Sequence, residues 1–246
     1  MSYFQAIFLA FVQGLTEFLP ISSSGHLVIF QELFDLESPV LFDILVHIGT
    51  LGAILVYFRK ELLKISRKTV EMVFIGTLPV AIVGLFLENY IEPIFNSLKL
   101  VGITLLITAG FLFLSSRFKS LNRQFNQLKW QDAFLIGVFQ ALAILPGISR
   151  SGATIVAGLW QKFNRRAVFH FSFYLAIPAI SGALILQMPD LIIGQFNYLN
   201  QGILAMFIAG LVGYFALRIL ENALQTAKLF YFGFYCAFLG ILILLI

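Results

Sequence analysis

Gln13-Gly14-Leu15-Thr16-Glu17-Phe18-Leu19-Pro20-Ile21-Ser22-Ser23-Ser24-Gly25-His26 is the stretch on which the reading of this chain turns. Apolar sequence flanks it on both sides, yet it holds a carboxylate, three consecutive serines and an imidazole. An acidic or basic residue at mid-bilayer opposes insertion by roughly 2.5 to 3.5 kcal/mol on translocon scales, so ionisable groups in such a setting point to function by default. A second polar island, Pro146-Gly147-Ile148-Ser149-Arg150-Ser151-Gly152-Ala153-Thr154, carries the opposite charge.

The surroundings fix the class. Hydrophobic residues make up 60% of the 246 and charged residues 11%, with 28 Phe and a mean hydropathy of +0.94. Soluble domains carry about 25% charged residues, so an integral membrane protein is expected. The amino-terminal segment has no basic leader and no small-residue cleavage site, and its apolar run contains Gln13 and Glu17, so it is read as part of the mature fold. A single cysteine, Cys236, excludes a disulfide framework and a cysteine metal site. The net charge of +4 sits in short loops and reports topology, so no nucleic-acid partner is expected.

Six apolar runs approach the ~20 residues that cross a bilayer: Phe42 to Phe58, Val73 to Leu87, Leu100 to Leu114, Val168 to Leu186, Gly202 to Leu220 and Leu229 to Ile246. Tyr3 to Phe34 and Ala133 to Leu159 each read as an apolar limb, a Pro/Gly/Ser break and a second limb too short to cross. These are expected to be re-entrant hairpins, whose irregular backbone is tolerable where protein or a water-filled cavity surrounds it. The predicted fold is therefore all-α and polytopic, six transmembrane helices plus two re-entrant hairpins.

Loop charges orient the chain. The loops around Lys64, Arg123, Arg166 and Lys228 are basic and by the positive-inside rule cytoplasmic, Lys119 among them. Loops bearing Glu32, Asp35 and Glu37, then Glu88 and Glu92, then Asp190 face outward. The first hairpin then enters from outside, the second from the cytoplasm, and both termini are external.

An offset of 127 residues pairs Gln13 with Gln140, Ser22 with Ser149, Ser24 with Ser151, Gly25 with Gly152 and Phe42 with Phe169. Each half holds one hairpin and three crossings, and an odd number of crossings inverts the second half. The expected organisation is a single membrane domain, 1–246, built as an inverted repeat: 1–115, then a basic cytoplasmic connector 116–131, then 132–246. Broken segments in such repeats meet near the midplane.

The chemistry follows from spacing. Gln13 and Glu17 at i,i+4 share one helical face, which makes Glu17 a candidate acid/base or cation ligand, or a buried carboxyl that is merely paired. Pro20 ends the helix, and Ser22-Ser23-Ser24-Gly25 can start another, whose free N–H groups suit a phosphate; the serines can equally be plain caps. His26 lies three residues from Ser23, and a serine hydroxyl is a weak nucleophile until a base or charge partner activates it. Arg150 lies away from loops and span ends; its planar fork suits bidentate contact with phosphate, and a salt bridge to Glu17 is compatible with that use. Ser149 and Thr154 offer further hydroxyls. His47, Asp43 and His170 join no motif and are read as structural.

These motifs resemble those of the bacterial undecaprenyl-diphosphatases, the bacitracin-resistance phosphatases of cell-wall lipid recycling. Glu/Gln-x-x-x-Glu before a Ser/Thr-rich Gly-His turn matches Gln13, Glu17, Ser22, Ser23, Ser24, Gly25 and His26. Pro-Gly-x-Ser-Arg-Ser-x-x-Thr matches Pro146 through Thr154. The resemblance, which covers essentially the whole chain, implies hydrolysis of undecaprenyl diphosphate to the monophosphate and phosphate in the bacterial plasma membrane, at a site open to the outer face. It implies catalytic roles for Glu17, Ser23 as favoured nucleophile, His26 as its partner, and Arg150 as phosphate clamp. Substrate contacts would come from Gln13, Ser22, Ser24, Gly25, Ser149, Ser151 and Thr154, and a divalent cation, Mg2+ or Ca2+, would meet Glu17. Membrane lipid is the other expected partner, with a homodimer left open. Many relatives carry a glutamate where this chain has Gln13, so Glu17 must do two-carboxylate work alone. A lipid-phosphate transporter or flippase is the rival class, since inverted repeats with broken helices also build carriers.

Overall fold

The computed structural model describes residues 1–36, 40–95, 97–118, 121–193 and 198–245. Glu37, Lys119 and Ile246, to which the sequence reading assigned places, lie outside the described residues. Most of the described chain is α-helical: α1 (Tyr3–Phe18), α2 (Ser23–Leu33), α3 (Val40–Tyr57), α4 (Arg59–Leu62), α5 (Arg67–Phe95), α6 (Leu98–Ser115), α7 (Trp130–Leu142), α8 (Arg150–Trp160), α9 (Arg165–Ile193), α10 (Leu199–Gln225) and α11 (Phe230–Leu245).

Among the described residues five helices are long and apolar enough to cross a membrane: α3, α5, α6, α9 and α10. The sixth expected span is α11, an apolar helix with 16 described residues. This is a multi-pass, all-α membrane protein. The hairpin limbs are short: α1 has 16 residues, α7 has 13, and α2 and α8 have 11 each. Each falls below the ~20 residues of a crossing.

Helix ends depart from the apolar runs. α5 and α9 extend over 29 residues each, taking in Arg67 and Lys68, Glu88 and Glu92, and Asp190, all of which the sequence reading put in loops. The reason is physical: charge ends an apolar run, but Glu, Lys and Arg are good helix formers and do not end a helix. Real stops are specific. Ser2 and Gln5 form a reciprocal capping box at the start of α1. Asp132 accepts from the Lys129 N–H at 2.9 Å at the start of α7 and from both Arg123 guanidinium nitrogens at 2.9 and 2.6 Å. The connector is thereby tied down, and Arg123 also lies 4.0 Å over the Phe163 ring.

The packing is reciprocal. α1 lies on α10 and α7 on α5; α3 packs on α10 and α5 on α9; α6 and α11 pack on each other, as do α3 and α9. Each hairpin is thus seated against a helix of the other half. Phe18 of α1, Phe58 beyond α3, and Phe169 and Phe173 of α9 fill the centre, all fully buried. Phe173 meets Phe18, Phe58 and Phe169 at ring centroids of 5.7, 5.9 and 5.0 Å. That aromatic plug holds the end of α1, just before the first polar island's break, against α9.

Candidate active site

The two hairpin breaks touch. Ser22 caps α2 and Ser149 caps α8, accepting from the N–H groups of Gly25 at 3.3 Å and Gly152 at 3.1 Å. A Cβ on Gly25 would stand 3.1 Å from Gly147 of the other break, and one on Gly152 would stand 3.3 Å from Pro20. Pro20 and Gly147 are themselves 127 residues apart, so the contact is twofold in character. It is not fully symmetric: the Gly147 N–H donates to Ser22 Oγ at 3.1 Å, whereas Pro20 has no N–H to offer Ser149. The next hydroxyls keep the symmetry, with Ser149 Oγ 3.2 Å from Ser151 Oγ and Ser22 Oγ 3.4 Å from Ser24 Oγ. Gly147 adopts φ +94°, a left-handed conformation that glycine takes without steric cost.

Helices from the far end of each half brace the breaks. Thr104 and Thr108 of α6 donate to the carbonyls of Pro146 at 2.5 Å and Gly147 at 2.9 Å, and Thr108 Oγ1 accepts from the Ser149 N–H at 3.1 Å. Cys236 of α11 lies 3.7 Å from the Pro20 carbonyl. Backbone freed by the breaks is satisfied in this way, as apolar surroundings require.

Glu17 is the centre of the polar network. Its Oε1 takes the Arg150 guanidinium at 2.6 Å. Its Oε2 accepts from Ser23 Oγ at 2.6 Å and from Gln13 Nε2 at 3.1 Å. Ser23 and Arg150 are the first residues of α2 and α8 and occupy equivalent positions at the 127-residue offset. The carboxylate is thus clamped between two helix starts, whose partial positive charge adds to that of Arg150. Little of the pair meets water: side-chain exposure is 15% for Arg150 and 7% for Glu17.

A cavity of ≈ 200 Å³ opens over this network. Its lining is polar at Thr16, Glu17, Ser22, Ser23, Ser24, His47, Gln140, Ser149, Arg150 and Gln187 and apolar at Val80, Ala143, Ile144, Ile148, Ala179, Ile180, Ala183 and Leu184. Of the residues singled out in the sequence, Glu17, Ser22, Ser23, Ser24, Ser149 and Arg150 line it. Gln13 reaches it through Glu17. Gly25, Ser151 and Thr154 are not on its wall; Thr154 donates to the Arg150 carbonyl at 2.9 Å and pairs with Ser172 Oγ at 2.6 Å.

His26 is placed otherwise than expected. Its Nδ1 donates to the Ser22 carbonyl at 2.7 Å, and its Nε2 lies 2.7 Å from the Tyr235 hydroxyl, with the two rings stacked at 5.6 Å. A carbonyl only accepts, so Nδ1 carries hydrogen and the neutral ring accepts from Tyr235. Both nitrogens are engaged away from Ser23; the partner that Ser23 does have is Glu17. The i,i+3 spacing on the helix misled here, because the break turns Ser23 back toward α1. Sequence reasoning also passed over His47 and Gln140, both on the cavity wall. For Gln140 the repeat itself was the available signal; for His47, whose Nδ1 donates to the Asp43 carbonyl at 2.7 Å, there was none.

The geometry can be set beside known proteins. The family model described as "Bacitracin resistance protein BacA" matches residues 6–242. This chain belongs to the BacA family. Among the curated BacA relatives it is similar to are three proteins whose names begin with undecaprenyl-diphosphatase. One from Carboxydothermus hydrogenoformans is 43% identical over 255 residues, covering 100% of this chain and 98% of the relative. One from Halothermothrix orenii is 39% identical over 260 residues with the same coverage. The third, undecaprenyl-diphosphatase 4 of Bacillus cereus, is 39% identical over 251 residues, 99% of this chain and 97% of the relative.

Proposed function

We propose that this BacA protein hydrolyses undecaprenyl diphosphate to undecaprenyl phosphate and inorganic phosphate, returning a lipid carrier to cell-wall synthesis. The observation that carries this reading is the Ser23–Glu17–Arg150 contact at the start of two helices, beneath a cavity lined by both polar and apolar side chains. A serine is activated by an adjacent base, and Glu17 at 2.6 Å is placed to accept its proton. Ser23 Oγ then attacks the terminal phosphorus. The bond from that phosphorus to the bridging oxygen breaks, and undecaprenyl phosphate leaves. Water next attacks the serine phosphate, releasing inorganic phosphate and restoring the Ser23 proton. Arg150 and the two helix starts hold the negative charge on the diphosphate as the bond breaks, and such positioning and charge stabilisation supply most of the catalysis in phosphoryl transfer. The engaged ring of His26 gives it the role of fixing the break, not of activating Ser23.

The donor set suits a shared divalent cation. Among the described residues no three His, Cys, Asp or Glu side chains cluster as a cage, but Glu17 and the buried Gln13 Oε1, which has no hydrogen-bond partner among them, are hard oxygen donors. Such ions are commonly held by one or two carboxylates together with substrate phosphates. When bound, the ion would neutralise charge on the diphosphate.

The site would face the outer side of the bacterial plasma membrane, with 1–115 and 132–246 oppositely oriented about the basic connector 116–131. Support comes from distance along the helices. Val80 on the cavity wall lies about 20 Å up α5 from basic Arg67, and Ala183 about 27 Å up α9 from Arg165, at 1.5 Å per residue. The prenyl chain would run from the apolar lining into membrane lipid. The deciding experiment is phosphate release from a prenyl diphosphate by purified protein, with and without chelator. Release that chelation abolishes is expected; a protein that binds the lipid and releases nothing would overturn the reading.

A further inference from the structure

The cavity wall holds polar capacity that the network around Glu17 does not use. Gln140 of α7 is only 1% exposed and lines the cavity, yet among the described residues neither its Nε2 nor its Oε1 has a hydrogen-bond partner. The second prong of Arg150, Nη1, is equally unpartnered there. An unpaired buried amide is a standing cost, and leucine would fill similar space without it.

The repeat accounts for the opening. Gln13 and Gln140 are equivalent positions, and Gln13 gives its amide to Glu17 one turn on. The equivalent of Glu17 in the second half is Ile144, which has nothing to accept. The Gln140 amide is therefore left unpartnered among the described residues, on a side chain that lines the cavity. It sits beside the apolar residues that follow it, Ala143 and Ile144, which line the same cavity.

We propose that Gln140 binds substrate: with Arg150 Nη1 it forms a second phosphate subsite, which holds the phosphate attached to the prenyl chain while the terminal phosphate lies at Ser23. The Gln140 Nε2 donates to a non-bridging oxygen of the departing lipid phosphate. Two subsites give the two prongs of the guanidinium different duties, Nη2 on Glu17 and Nη1, unpartnered among the described residues, on the lipid phosphate. They also place the leaving group against the apolar lining that receives its chain. The inference rests on the phosphatase reading for the naming of the two phosphates, but binding at Gln140 can be measured without turnover.

The test compares wild type with Gln140→Leu and Gln140→Glu in purified full-length protein, using farnesyl diphosphate as substrate, and farnesyl phosphate and inorganic phosphate as inhibitors. A lost hydrogen bond to a charged group corresponds to roughly tenfold to hundredfold in affinity. Gln140→Leu is expected to raise KM and to weaken inhibition by farnesyl phosphate by that factor, with inhibition by inorganic phosphate unchanged. Gln140→Glu keeps the shape, places an anion beside the phosphate and should weaken both further. Without ligand, Gln140→Leu should melt at or above the wild-type temperature, since it removes an unpaired buried amide. Lower melting with unaltered farnesyl phosphate affinity would make Gln140 structural and overturn the proposal, as would equal weakening of both inhibitors by Gln140→Leu. Wild type that binds farnesyl phosphate but releases nothing from farnesyl diphosphate would remove the phosphatase reading and leave this subsite standing.

Discussion

Glu17 accepts three hydrogen bonds from three kinds of donor, and each partner fails differently. Glu17→Gln keeps the shape and removes the proton acceptor, so phosphate release should fall at least about 100-fold, the lower end of what a general base contributes. Arg150→Lys keeps the charge but loses the fork, so release should fall by roughly tenfold or more while folding is kept. Arg150→Ala is a different case, because it strands a carboxylate that is almost out of water. Breaking one side of a buried pair costs about 3 to 5 kcal/mol, so the melting temperature should drop. Adding Glu17→Gln to Arg150→Ala removes the stranded charge and should recover most of the lost stability but none of the activity. Thermal unfolding followed beside phosphate release separates these outcomes; an Arg150→Ala protein with unaltered stability would mean that the ion pair is screened by water. Gln13→Glu brings a second carboxylate to the first, and should retain release while making it depend more steeply on divalent cation, as read by chelator titration.

At the level of elements, the function depends on two broken helices whose breaks are held from outside. Thr108 of α6 both donates to the Gly147 carbonyl and accepts from the Ser149 N–H. Thr108→Val, similar in shape, leaves those two buried backbone groups unpaired at about 1 to 3 kcal/mol each. Stability and turnover should fall together, because the cap on α8 that carries Arg150 is loosened. Gly147→Ala should be worse: it forces a side chain into φ +94° and sets a Cβ against Thr104. A Gly147→Ala protein with wild-type turnover would show that contact between the breaks is not needed for chemistry. The caps themselves were legible in the sequence, since Ser before a new helix after Pro or Gly is a local rule. The braces were not. Nothing in the sequence of α6 ties Thr104 and Thr108 to residues about 40 positions away.

Loop charge bears on how the whole molecule would sit in a bilayer. Arg59, Arg67, Arg123, Lys162, Arg165 and Lys228 lie at or near helix ends in the basic loops, and the cavity lies well up the helices from them. With Cys236→Ala as background, Lys64→Cys should stay unlabelled by a membrane-impermeant thiol reagent in intact cells, and Glu32→Cys, exposed at the end of α2, should label. The reverse pattern would turn the site toward the cytoplasm.

Much of this was determined by the sequence alone. Apolar runs set the class, because burial in lipid enforces that local pattern; the hydroxyl and charge islands inside them, which the 127-residue offset pairs, are the stretches that meet at Glu17, Ser23 and Arg150. The extent of α5 and α9 was not readable, since charge ends hydropathy before it ends a helix. Tertiary structure alone decided which acid meets which serine. His26 and Glu17 were both near Ser23 in sequence, and only the turn at the break, fixed by packing against the other half, gave Ser23 to Glu17 and His26 to Tyr235, 209 positions away. The same packing left the buried amide of Gln140 unpaired among the described residues, on a side chain that lines the cavity; a missing hydrogen-bond partner cannot be read from the residue that lacks it.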